Sequence, residues 1–225
     1  MSSYGCLKAA SRRLTLPGMI RIAAVFATLF VMLQTAAASS VTILALGDSL
    51  TAGYGLQASD AFPVKLEAAL RARGHDVTIV NAGVSGDIMA DGLARLDWSL
   101  TEEIDAVIVE LGANDALRGL PPAQAEAALD TLLARLAEKR LPVLVAGMRA
   151  PPNMGPEYMA AFDGMYARLA VKHGAGLYPF FLDGVAAEPA LNQADGIHPN
   201  PAGVDVIVSR ILPGVETLIR RIAAK

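Results

Sequence analysis

The sequence predicts an α/β protein in which a five-stranded parallel sheet is covered by helices on both faces. Three observations predict it. From Val41 onward, short apolar runs with β-branched residues alternate with longer stretches of helical periodicity, a pattern that builds parallel sheets through right-handed crossovers. Residues 106–111 are apolar at nearly every position, as in a strand buried on both faces. No repeat, charge block or linker interrupts the pattern, so a single domain over residues 39–225 is expected.

The elements follow in order. Residues 41–45 form the first strand, and the glycine-rich stretch from Thr51 to Gly55 cannot continue it. Asp60 is placed to cap a helix with Pro63 in its first turn, Leu66, Ala69 and Leu70 on its apolar face and Gly74 at its end. Residues 77–80 are a second strand, followed by a turn-rich loop from Asn81 to Asp87. A helix over residues 89–100 turns Leu93 and Leu96 inward, and Trp98, the only tryptophan, is read as a packing residue. The third strand runs into Gly112-Ala113-Asn114-Asp115. Pro121 opens a long helix with Leu129, Leu132, Leu133 and Leu136 at helical spacing. Residues 143–146 are a fourth strand, leading into an irregular apolar loop over residues 148–156. A helix over residues 157–173, a short strand at 176–178 and a final helix over residues 201–222 complete the chain.

Composition narrows the function classes. The chain has 225 residues, 53% of them hydrophobic, and a net charge of −3 with no basic stripe interleaved with aromatics, so nucleic acid is not the expected partner. At the N-terminus Lys8, Arg12, Arg13 and Arg21 precede an apolar run over residues 22–33 that ends in Ala36-Ala37-Ala38. This is the pattern of a secretory signal peptide over residues 1–38, cleaved after Ala38, with Met19 an alternative start. As a retained anchor the run is short for a bilayer. Cleavage would remove Cys6, the only cysteine, leaving a chain without disulfide, thiolate or cysteine–metal chemistry. The expected location is the periplasm or the exterior.

Chemistry concentrates in loops that a parallel sheet gathers along one edge. Ser49, in Gly47-Asp48-Ser49-Leu50 after the first strand, stands where open α/β sheets place their ligand crevice and is a candidate nucleophile. Serine also caps helices, and the tetrapeptide alone does not separate the two roles. Of the three histidines, His75 and His173 lie near helix ends and read as surface residues. His198 instead follows Asp195 by three positions in a loop pinned by Gly196 and Pro199. A carboxylate holding one imidazole nitrogen leaves the other free to take a serine proton, although an Asp and a His turned to solvent would look the same in sequence. Candidate oxyanion donors are the N–H of Ser49, the N–H of Gly86 and the side-chain amide of Asn114, against ordinary turn chemistry for the last two. The apolar loop offers Met148, Ala150, Pro151 and Met154 as a wall for an acyl chain, against the reading of a surface loop packed on its own helix. No His-x-His, His-Glu-x-x-His or cysteine cluster is present, so no metal or cofactor is expected.

Gly47-Asp48-Ser49-Leu50, Ser85-Gly86-Asp87, Gly112-Ala113-Asn114-Asp115 and Asp195-Gly196-Ile197-His198-Pro199 stand in the order of the four blocks of the SGNH (GDSL) hydrolase family. The chain from Ser39 onward resembles the bacterial thioesterase I/lysophospholipase L1/arylesterase branch, including Val109-Glu110-Leu111-Gly112 and Leu117-Arg118-Gly119. The resemblance implies a flavodoxin-like three-layer α/β/α fold, Ser49 as nucleophile, His198 as base, Asp195 as its orienting carboxylate, and Gly86 and Asn114 in the oxyanion hole. Ala113 departs from it, since close relatives often carry a second glycine there. The implied substrates are aryl esters, short-to-medium acyl esters, acyl thioesters or lysophospholipids, with transient lipid contact and no stable protein partner. A carbohydrate deacetylase on the same scaffold and a non-catalytic anion-binding domain are the alternatives.

Overall fold

A computed structural model describes residues 40–223. The expected signal segment, with Cys6 and Met19, lies outside the described residues.

Five strands, β1 (Val41–Gly47), β2 (Val77–Gly83), β3 (Ala106–Glu110), β4 (Val143–Ala146) and β5 (Gly176–Tyr178), form one sheet in the order β2-β1-β3-β4-β5. Every pairing is parallel, with Gly47 beside Gly83 on one side and beside Glu110 on the other. This order is the flavodoxin-like one, and it reverses direction between β1 and β3, where a crevice opens at the strand carboxyl ends. β3 and β4 are buried throughout, as their continuous apolar runs require.

The helices are α1 (Ser49–Ala52), α2 (Phe62–Ala72), α3 (Met89–Ala94), α4 (Leu96–Ser99), α5 (Ala113–Leu117), α6 (Pro122–Glu138), α7 (Pro156–His173) and α8 (Pro201–Ala223). α2 packs with α8, while α6 packs with α3 and α7. Leu129, Leu132, Leu133 and Leu136 of α6 are buried, as are Val204, Ile207, Ile211, Val215 and Leu218 of α8, so each long helix lays one apolar stripe on the core. No described helix is long and apolar enough to cross a membrane.

Three local expectations are corrected. The segment 89–100 is two helices that meet at Arg95 rather than one. The Arg95 side chain is drawn to the Asp87 carboxylate at 2.6 Å and the Gly47 carbonyl at 2.8 Å. In the single turn of α4, Leu96 takes the buried face, which leaves Trp98, two positions on, on the opposite side. Trp98 is 92% exposed and is not a packing residue. Asp60 does not cap α2 either. Ala61 occupies the cap position, and Asp60 closes the 3₁₀ turn Ala58–Asp60 and pairs with Lys65 at 3.4 Å. His75 and His173 do lie at helix ends, but each is half-buried and beside a carboxylate, Glu216 at 3.6 Å and Asp130 at 2.6 Å respectively.

Candidate active site

Ser49 is the first residue of α1, a one-turn helix that leaves the end of β1 and stops at Gly53 in the left-handed region. The capping role open to Ser49 belongs instead to Asp48, whose Oδ1 accepts the Leu50 N–H at 3.0 Å. The serine hydroxyl is therefore free of local backbone duty. Its Oγ lies 3.0 Å from His198 Nε2, a contact across 149 residues of chain.

The other imidazole nitrogen, Nδ1, lies 2.7 Å from Asp195 Oδ2. Asp195 Oδ1 accepts the N–H groups of Ile197 at 2.9 Å and His198 at 3.0 Å, so the carboxylate shapes the loop that presents its own partner. These backbone donors first, then the imidazole, pull the Asp195 carboxyl down from its ordinary 3.8 to about 2. The His198 carbonyl accepts the Gln193 N–H at 2.7 Å, and the Tyr54 ring lies 4.6 Å from the imidazole at a 37° tilt. The imidazole is thus held from its backbone, its Nδ1 and one face. A serine, an imidazole and a carboxylate in this relation can move a proton from Oγ to Nε2 while the carboxylate stabilises the cation formed.

Gly86 and Asn114 come to the same edge. Gly86 has φ +91°, a conformation that strains any side chain-bearing residue, and its carbonyl accepts from Arg118 at 2.7 Å. The N–H groups of Ser49 and Gly86 enter none of the turn, loop or side-chain hydrogen bonds of the described residues. Asn114 follows Gly112, whose φ of +115° turns the chain out of β3 and whose hydrogen faces the Tyr166 hydroxyl, leaving no room for a Cβ. Ala113 is accommodated as the first residue of α5. The Asn114 amide donates to Asp48 Oδ2 at 3.2 Å and to the Asp87 carbonyl at 3.0 Å. It therefore stands between the Ser49 turn and the Gly86 turn.

An open cavity of about 520 Å³ adjoins the loop after β4. Met148, Ala150 and Pro151 line it together with Leu117, Phe180 and Ile197, and Ile197 directly precedes His198. Met154 does not line it. The 3₁₀ turn Pro152–Met154 carries that side chain to Gly119 instead. Among the described residues no three His, Cys, Asp or Glu side chains gather as a metal site.

Four features escape the sequence reading: Asp48, Arg95, Tyr54 and the buried Glu110. Burial drives the Asp48 carboxyl up to about 6, against the Leu50 N–H, the His198 charge and the Asn114 amide, which favour its ionised form. Burial and the nearby Asp48 raise Glu110 well above the usual carboxylate range. A glutamate inside an otherwise apolar strand run was the one signal available for it.

Comparison with known proteins agrees with this fold. Residues 45–206 match the GDSL-like Lipase/Acylhydrolase family. The chain is 40% identical over 192 residues to "Esterase TesA" of Pseudomonas aeruginosa, covering 85% of this chain and 96% of that protein. It is 41% identical over 171 residues to "Thioesterase 1/protease 1/lysophospholipase L1" of Escherichia coli K12, covering 76% and 81% respectively. The crystal structure of AlinE4, an SGNH-hydrolase family esterase, superposes with a TM-score of 0.67 at 49% identity, over 79% of this chain and 96% of that one. By fold, by motif order and by these matches, the chain belongs to the GDSL-like lipase/acylhydrolase family.

Proposed function

We propose that this protein is an exported serine hydrolase that cleaves carboxylic ester or thioester bonds through an acyl-enzyme on Ser49. The observation that carries the reading is the unbroken relay from Ser49 Oγ through His198 to Asp195, at 3.0 and 2.7 Å. In the first half-reaction Ser49 Oγ attacks the substrate carbonyl carbon as His198 Nε2 takes its proton. The carbonyl oxygen becomes an oxyanion, met by the N–H groups of Ser49 and Gly86 and by the Asn114 amide. His198 then returns the proton to the departing alcohol or thiol. In the second half, His198 takes a proton from water as its oxygen attacks the acyl carbon, and Ser49 leaves reprotonated with release of the acid. Asp195 orients the imidazole and offsets its charge in both halves.

The apolar cavity supports an acyl chain as the recognised part of the substrate. Met148, Ala150, Pro151, Leu117 and Ile197 would contact it, and the names of the relatives support esters, acyl thioesters and lysophospholipids as substrates. Export to the periplasm or beyond rests on the basic, apolar and small-residue order of the first 38 residues. No metal or cofactor enters any step. The test is p-nitrophenyl ester hydrolysis across acyl lengths, with Ser49→Ala beside the wild type. Loss of activity in a folded Ser49→Ala protein supports the reading, and retention of it would refute it. Release of acetate alone, from acetylated glycans only, would turn it to a carbohydrate deacetylase.

A further inference from the structure

Asp48 touches no reacting atom in the steps above, yet it is fully buried directly beside the nucleophile. A carboxylate cut off from water needs protein donors on its oxygens. Both oxygens have one: Oδ1 takes the Leu50 N–H of α1, and Oδ2 takes the Asn114 amide of α5. One side chain thus spans the switch point between β1 and β3, holding the turn that carries Ser49 and the amide that faces it. A second buried carboxyl group fixes the same turn from below. Glu110, in register with Gly47 at the end of β3, accepts the Thr51 hydroxyl at 2.7 Å.

We propose that Asp48 is a positioning residue that acts through Asn114, setting the side-chain oxyanion donor and the nucleophile in a single frame. The proposal rests on the acyl-transfer reading of Ser49 and Asn114. The amide of Asn114 has two hydrogens, and without substrate one meets the Asp48 carboxylate and the other the neutral Asp87 carbonyl. A hydrogen bond to an ionised acceptor is the stronger of the two kinds, so the bond to Asp48 persists and fixes the amide plane. The bond to the Asp87 carbonyl is the one exchanged for the developing oxyanion. Glu110 holds α1 still through Thr51 while that exchange occurs.

Asp48→Asn separates bridging from capping. Asparagine keeps an Oδ1 acceptor for the Leu50 N–H and is itself a good helix cap, but its amino group opposes the Asn114 amino group instead of accepting from it. Asn114→Ala should lower kcat about 10²–10³-fold, the usual loss of one oxyanion donor. Asp48→Asn alone should lower kcat by about 10–100-fold, with KM within about threefold, because it misplaces that donor without removing it. The double variant should fall no more than about twofold below Asn114→Ala, since Asp48 then has nothing to act through. Multiplicative losses in the double variant would overturn the proposal.

A second measurement needs no change at Asp48. The ratio of wild-type to Asn114→Ala kcat, taken from pH 8 to pH 5, cancels pH effects common to the two proteins. It should shrink toward acid as Asp48 gains a proton and ceases to be a charged acceptor, and a constant ratio would overturn the proposal. Full activity in folded Ser49→Ala or Asn114→Ala would strike the acyl-transfer reading itself, which keeps the two failures distinct.

Discussion

On one side of Ser49 lies a dry carboxylate, Asp48, and on the other, through His198, a wet one, Asp195. Asp48 sits at the end of β1 with 0% exposure, and burial lifts its carboxyl to about 6. Asp195 sits in a surface loop with its side chain 38% exposed, and two backbone N–H groups with the imidazole bring it to about 2. The same functional group therefore answers to opposite dominant forces, desolvation in one place and hydrogen bonding in the other. The buried half of the site is part of the core and cannot be altered without touching stability. The exposed half is a loop, held by its own hydrogen bonds, and can be altered with little effect on the fold.

The largest effect should come from the loop half. His198→Ala removes the proposed base and is expected to lower kcat/KM by about 10⁴–10⁶-fold while leaving the thermal midpoint nearly unchanged. Comparable losses of activity and folding would erase the distinction between the halves. Asp195→Asn keeps an Oδ1 acceptor for Ile197 and His198 but offers the imidazole Nδ1–H no carboxylate. It should cost about 10³–10⁴-fold in kcat, again without unfolding.

The buried half should show itself in stability against pH. The folded-state value of Asp48, about 6, lies above its ordinary 3.8, so the native state binds this proton more tightly than the unfolded chain. The stability this proton confers is complete below 3.8 and is lost as pH rises through 6, on the order of 2–3 kcal/mol in all. Asp195 has the opposite sign: its contribution is present above 3.8 and is lost only as pH falls through about 2. Denaturant titrations at pH 4.5 and 8 should therefore show Asp48→Asn gaining on the wild type at the higher pH. Asp195→Asn should show no such trend between these values.

Smaller effects sharpen the picture at the edges. Each methylene added to the acyl group should raise kcat/KM about fourfold, from about 0.8 kcal/mol of burial, until the cavity beside Ala150 and Pro151 is filled. A chain-length series of p-nitrophenyl esters checks this. Trp98→Ala should change stability by less than about 0.5 kcal/mol, because the ring lies in solvent.

How much of this was legible in the sequence depends on the range of the interactions involved. Strand and helix identity follow from local periodicity, and the five strands and the long helices α6, α7 and α8 stand where the apolar pattern places them. The chemical blocks at Ser49, Gly86, Asn114 and His198 were visible because turn residues cluster at strand ends. The Asp48–Asn114 and Thr51–Glu110 bonds were not, since they join residues 66 and 59 positions apart and leave no periodic trace. Trp98 failed for a related reason. Helical spacing over residues 89–100 assumes one axis, and the hydrogen bonds of Arg95 to Asp87 and Gly47 accompany a break in it. Met154 is apolar in sequence, but apolarity alone does not say which way a 3₁₀ turn faces.

The measurement that bears most directly on the account is reaction of the folded protein with an alkyl fluorophosphonate, followed by mass mapping of the adduct. The account predicts one phosphonyl group per chain, carried by the peptide containing Ser49, formed slowly or not at all in His198→Ala and coincident with loss of esterase activity. An ester-hydrolysing protein that remains unlabelled, or that carries the group on another residue, would contradict it.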